Sequence, residues 1–237
     1  TLIIASDFEG LGKAYKFNNQ NYESIENYKE ALKIKENILG TDHLELSNSL
    51  ANLGEIYAKE SKYINSAKNY ERSIKILLKI LNREVQYVPE SKRISFLEKI
   101  NVRLPREIFV DAFDSDENLK IALLLRLNLQ GLIEEIDRKQ LKLSNLSIQN
   151  KDLYKKIKRI NNKLSKLNID IKERNNLINE KEILEKELFK NIPETKSRIF
   201  EIEEVAGSLK ENSVLIEYQK YERNKKNYYL AFILKPN

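Results

Sequence analysis

The chain has 237 residues and a formal charge of +6 at pH 7, with 33% charged and 41% hydrophobic residues. It contains no Cys, Met or Trp, one His, six Gly and four Pro. This excludes disulfides, thiol nucleophiles, Cys-ligated zinc and His-pair metal sites, and the scarcity of Gly and Pro argues for long uninterrupted helices over turn-rich β folds. The absence of an initiating Met reads as a segment of a longer protein. No stretch reaches 18 apolar residues and the start at Thr1 lacks a signal-peptide pattern, so a reducing, cytoplasmic setting is expected, with no cofactor and no membrane partner.

The chain opens on a repeat. Leu11-Gly12-Lys13-Ala14-Tyr15 recurs 42 residues later as Leu53-Gly54-Glu55-Ile56-Tyr57, and at the same offset Asn27-Tyr28 becomes Asn69-Tyr70 and Ile38-Leu39 becomes Ile80-Leu81. Each unit reads as two helices with apolar residues at three- and four-residue spacing, roughly 5–17 and 22–39, then 44–59 and 63–81. Gly12 and Gly54 cost about 1 kcal/mol against Ala in an exposed helix. They make sense where the second helix crosses close to the first, with Tyr28 and Tyr70 filling the gap between repeats. The entry of the second helix is one residue out of step, since Tyr22 lies seven after Tyr15 and Tyr63 six after Tyr57. Leu11, Gly12, Tyr15, Tyr28, Leu53, Gly54, Tyr57 and Tyr70 are the repeat-defining positions.

This pattern resembles the tetratricopeptide repeat, and the 42-residue spacing with Gly40-Thr41-Asp42-His43 as linker resembles its kinesin-light-chain type. That type usually has Pro where Thr41 and Leu44 stand, so the linker departs from it. The resemblance implies a helical solenoid with a concave surface built by the first helices, binding a protein or peptide. Lys13, Lys16, Asn52, Glu55 and Lys59 are the candidates to face that ligand; the alternative is a solvated face. His43 reads as a cap or linker contact. Two repeats rarely stand alone, so further repeats are expected before Thr1.

Residues 83–115 read as a helical connector. Pro89-Glu90 marks a helix start, with Ile94, Leu97 and Ile100 on one stripe, and Asp114-Ser115-Asp116-Glu117 suits the start of the next helix. Residues 116–192 read as a long antiparallel helical hairpin or coiled coil bending at Ser144–Asn150, with one continuous rod as the competing arrangement. Leu153, Ile157, Ile160, Leu164, Leu167 and Ile171 form a heptad seam. Lys155, Lys156, Lys158, Arg159, Lys163 and Lys166 make a basic stripe, read either as a solvated exterior or as a patch for RNA, DNA or an acidic partner. No nucleic-acid module motif accompanies it.

After Pro193 the period changes. Residues 199–209 read as a short helix, and Val214–Tyr218 and Tyr228–Leu234 as strands, a truncated α/β unit over 193–237. Arg126–Arg138, Glu201–Leu209, Ser213–Tyr218 and Tyr228–Leu234, in that order, resemble the approach to CHAT domains, caspase-like peptidase domains found behind tetratricopeptide arrays. The resemblance implies a Cys–His protease downstream. With no Cys and its only His in the repeats, this chain supplies no catalytic residue and is expected not to be an enzyme itself. The expected function is the interaction scaffold and regulatory region of such a protein. The alternatives are a basic nucleic-acid-binding coiled coil and a stand-alone adaptor.

Overall fold

The 42-residue period reappears in the backbone hydrogen bonds. A computed structural model describes residues 1–100, 104–144, 147–166, 169–190, 199–223 and 225–236. Helices α1 (Leu2–Phe17), α2 (Asn21–Leu39), α3 (Leu44–Lys59) and α4 (Tyr63–Glu84) form the repeats. At the first α–α turn Asn18 N–H donates to Ala14, Asn19 to Lys16 and Gln20 to Tyr15; at the second, Glu60 donates to Ile56, Ser61 to Ala58 and Lys62 to Tyr57. Asn19 and Ser61, equivalent residues, both adopt the left-handed region, at φ 58° and 55°. The apparent slip at the second helix therefore disappears. Asn21, not Tyr22, is the counterpart of Tyr63, and Tyr22 is exposed.

Packing explains the repeat residues. A Cβ on Gly12 would lie 3.0 Å from the Tyr28 ring, and one on Gly54 2.7 Å from the Tyr70 ring. Tyr28 is fully buried and, with Ile25, packs on Leu53 and Ile56 of the next helix pair. Leu46, Leu50, Ile76 and Ile80 form the adjoining core, against Leu32, Leu39 and Leu44. Gly40 ends α2 at φ +80°, a conformation that excludes most side chains. His43 caps α3, its Nδ1 accepting the Glu45 N–H at 3.3 Å. Leu11 departs from its partner: Leu53 is buried and Leu11 is half exposed.

The chain divides into two units. The first holds Thr1–Ile80, Val102–Leu129 and Ile199–Asn237; the second holds Leu81–Asn101 and Gln130–Arg198. The residues expected as connector and hairpin are thus divided between the units, the chain passing from one to the other within α7 (Asp116–Ser144).

In the first unit α6 (Leu104–Asp111), with Pro105 in its first turn, continues the stack beyond the repeats, lying against α3. Ser115 caps α7 by accepting the Asn118 N–H at 3.2 Å. After α10 (Ile202–Ser208) the chain forms β1 (Leu215–Arg223) and β2 (Lys226–Leu234), an antiparallel hairpin in the register Leu215 to Leu234 through Arg223 to Lys226. Its inner face packs on α6, with the Phe109 and Phe232 rings 6.4 Å apart and Phe113 6.0 Å from Tyr221.

Two residues of the Arg126–Arg138 segment fasten this tail. The Asn128 side chain bonds the Phe200 backbone in both directions, Nδ2 to O at 3.0 Å and N to Oδ1 at 2.9 Å. The Arg126 guanidinium meets Glu217 on β1 through two nitrogens, each at 3.1 Å. Both nitrogens share the single Glu217 Oε2, a charge-assisted contact.

In the second unit α8 (Ile148–Leu164) and α9 (Ile171–Phe189) pack together through Ile157, Leu188 and Phe189, flanked by Leu153, Tyr154 and Leu184. The heptad seam is followed only in part. Ile157 and Ile160 are buried, Ile171 is exposed at the start of α9, and Leu167 lies outside the described residues. The chain breaks before Asp170, whose carboxylate accepts the Lys172 and Glu173 N–H groups and starts a new helix. The expected bend at 144–150 holds Ser147, which caps α8; Asn145 and Leu146 lie outside the described residues, as does the expected break at Pro193. α5 (Glu90–Ile100) presents its first turn to α9: Glu185 accepts the Glu90 N–H, and Glu182 accepts from Ser91 at 2.8 Å and Lys92 at 2.5 Å. Carboxylates there answer the positive end of the helix. The side chains of Ile94, Leu97 and Ile100 lie outside the described residues.

Candidate docking groove

The five predicted ligand-facing residues lie on α1 and α3, the helices joined side by side by polar contacts. Lys16 pairs with Glu55, and Ser49 donates to Glu9. Glu9 also takes Lys35 of α2 at 2.8 Å, so one carboxylate ties three helices. Glu55 lies between two cations, with Lys59 one turn on at 3.2 Å. Burial pushes its carboxyl up, but Lys16 and then Lys59 outweigh this and hold it below its ordinary value. Lys16 and Glu55 are largely buried side chains, at 12% and 15% exposure, so this pair braces the groove floor.

Lys13, Lys16 and Lys59 line one cleft of about 440 Å³ together with Phe17 and Asn19. Lys13 is exposed. Asn52 does not line this cleft; its amide donates to Asn48 O at 3.0 Å within its own helix. The geometry therefore gathers three of the five residues as a basic lining, makes Glu55 the brace, and turns Asn52 to the helix backbone. Phe17 and Asn19 had escaped notice. Phe17 occupies the place that Lys59 fills in the next repeat, and its ring is 87% exposed, a departure visible only once the two units are aligned.

A second feature was hidden in the apolar run Ile108–Phe113. Tyr70 donates its phenolic hydrogen to Asp111 of α6. Burial, then the charges of Glu55, Asp114 and Glu107, push Asp111 up to about 7, although the Tyr70 hydrogen bond draws it down. Burial likewise raises the Tyr70 phenol well above its ordinary value. So the groove's basic cleft adjoins a carboxylate-rich end, with α6 receiving Tyr70 much as α3 receives Tyr28.

Residues 3–79 match the family model of the tetratricopeptide repeat. That segment is similar to tetratricopeptide repeats. No curated protein and no solved structure matches the chain. Tetratricopeptide repeats are protein-binding scaffolds, and in this segment Lys13 and Lys16 of α1 and Lys59 of α3 line one cleft. Elsewhere, the predicted basic stripe is exposed along α8, where Lys155 lies 4.0 Å from Asp152. Among the described residues no group of three or more acidic or His side chains could hold a metal, and no helix is long and apolar enough to cross a membrane.

Proposed function

We propose that the tetratricopeptide array docks an acidic protein segment in the cleft of Lys13, Lys16 and Lys59, and that it serves a CHAT-type, caspase-like peptidase domain in the same protein. The observation that carries the docking reading is the convergence of three lysines from two repeats on one cleft beside an exposed aromatic ring, Phe17. Glu55 offsets part of that charge and pairs with both Lys16 and Lys59, which holds these two lysines side by side. Charge complementarity of this sort acts mainly on encounter and specificity.

The peptidase association rests on segment order: kinesin-light-chain-type repeats, helical region, then a short helix and hairpin. It is supported by the way Arg126 and Asn128 fasten Phe200 and Glu217, because these four residues belong to the segments that resemble the approach to a CHAT domain or adjoin them. The chain itself reads as non-catalytic, its single His serving α3 as a cap. The regulatory part of the reading follows from that order. A reading frame beyond Asn237 that lacks a His and a Cys on successive strand ends contradicts it.

The docking claim is tested by fluorescence anisotropy with a labelled Asp/Glu-rich peptide and its Asn/Gln counterpart. The expected result is saturable binding of the acidic peptide only, weakened at least tenfold by Lys13→Glu with Lys59→Glu. Equal binding of both peptides, or no effect of the substitutions, contradicts it.

A further inference from the structure

α8 spends its apolar face on α9, and its outer face carries charge of one sign. Along Ile148–Leu164 stand six bases, Lys151, Lys155, Lys156, Lys158, Arg159 and Lys163, and a single acid, Asp152. All seven side chains are exposed. α9 mixes four bases with five acids, the ordinary pattern of a solvated helix exterior. Of the six bases on α8, Lys155 alone pairs with a described residue, Asp152 at 4.0 Å. In the repeats, by contrast, Lys16, Lys35, Arg72 and Lys79 each meet a carboxylate. Lys151, Lys155, Arg159 and Lys163 follow one another at four-residue spacing, a row about 18 Å long at about 1.5 Å per residue. Like charges so placed repel one another along the helix, and an anion lying on the row removes that repulsion.

We infer that the outer face of α8 binds a nucleic acid through its phosphate backbone, without reading bases. The occupant follows from what the face lacks. Between Lys151 and Lys166 no exposed side chain is apolar: Leu153, Tyr154 and Leu164 are partly covered, and Ile157 and Ile160 are buried. Exposed Ile148 precedes the row. A protein partner takes aromatic or other apolar anchors at the centre of its interface, and a membrane surface takes an apolar helix face. A phosphate backbone requires neither. It is held by Lys and Arg, with release of its counterions as the driving term. The exposed amides of Asn161 and Asn162 add donors for phosphate oxygens. The inference is independent of the acidic ligand of the repeats and of the peptidase domain.

The test is fluorescence anisotropy of the full chain with a labelled DNA duplex of about 20 base pairs, the same duplex as RNA, and one DNA strand. Saturable binding to at least one of these is expected, weakening at least about tenfold between 50 and 200 mM salt. Lys151→Gln, Lys155→Gln, Arg159→Gln and Lys163→Gln together are expected to weaken it at least about tenfold at the lower salt and to make its salt dependence shallower. The same charge change at exposed Lys33, Lys62, Lys68 and Lys120 is expected to leave most of the affinity. In the natural chain, amide shifts on adding the best-bound nucleic acid are expected along residues 151–163. No binding at 50 mM salt overturns the inference, and so do equal losses in the two variants. Tighter binding of polyglutamate or of phosphatidylserine vesicles makes the face a protein or membrane site and overturns it. Shifts centred on Lys13, Lys16 and Lys59 assign the binding to the repeats and do the same.

Discussion

The Tyr70 hydroxyl reaches out of the repeats and donates to Asp111, so the ring that fills the gap over Gly54 also ties α4 to α6. One side chain thus makes the repeat's internal contact and anchors the helix that continues the stack. Asp111 is buried among Glu55, Glu107 and Asp114, and its carboxyl is pushed up to about 7.

That elevation gives a pH dependence with a definite sign. A carboxyl with a folded-state value near 7 and an ordinary value of 3.8 binds its proton more tightly in the folded chain. Its stabilising contribution is complete below pH 3.8 and is lost as pH rises to 7, with no further change above. Glu55 acts oppositely, its contribution being lost as pH falls from its ordinary 4.5 through its lowered value. Urea unfolding between pH 4.5 and 8 is expected to show a midpoint that falls and then levels near pH 7. Asp111→Asn is expected to flatten the slope; a slope that survives this substitution assigns it elsewhere.

The two repeat glycines are expected to differ. At Gly54 a methyl group would meet the Tyr70 ring at 2.7 Å, and at Gly12 the Tyr28 ring at 3.0 Å. Both rings are fully buried, so a shift would disturb the packing around them. Overpacking costs about 1–3 kcal/mol, against about 1 kcal/mol gained in helix propensity. Gly54→Ala should therefore lower stability, and by more than Gly12→Ala, in denaturant titration. The reverse order, or a gain at Gly54, contradicts the close-approach reading.

The hairpin depends on α6 and α7 for its stability, because a two-stranded sheet is marginal alone. Phe232→Ala removes the ring that faces Phe109, a truncation that typically costs about 3–5 kcal/mol in a core. Asn128→Leu removes both hydrogen bonds of that side chain to the Phe200 backbone, at about 1 kcal/mol each. Hydrogen exchange is expected to show the amides of β1 and β2 losing protection in both variants while α2 and α3 keep theirs. Uniform loss across α1–α4 would show that the hairpin is not a separable layer.

Asp170 is expected to account for the break between α8 and α9. Its carboxylate accepts two N–H groups of α9, and Asp170→Ala should cost about 1 kcal/mol, read in thermal unfolding. No loss would place the break under the control of other residues.

The repeats were legible because their residues are set by contacts that recur: Gly under a Tyr ring, Leu under the next pair, a linker with a capping His. The hairpin strands were legible from their β-branched and aromatic content. What was not legible depended on long-range packing. Nothing local in Ile108–Phe113 marks Asp111 as the partner of Tyr70, since the two lie 41 residues apart. The seam from Leu153 to Ile171 has the right spacing throughout, yet the Asp170 cap overrides it. Of the candidate residues, Lys13, Lys16 and Lys59 share one cleft, as their spacing on α1 and α3 suggests. The Asn52 amide bonds Asn48 of its own helix, a choice that spacing does not reveal.

The most direct test of the docking account is amide chemical-shift mapping of the full chain titrated with the acidic peptide. The account predicts the largest shifts at Lys13, Lys16, Phe17, Asn19 and Lys59, with β1 and β2 unmoved. Shifts centred on α8 or on the hairpin, with the cleft unchanged, would contradict it.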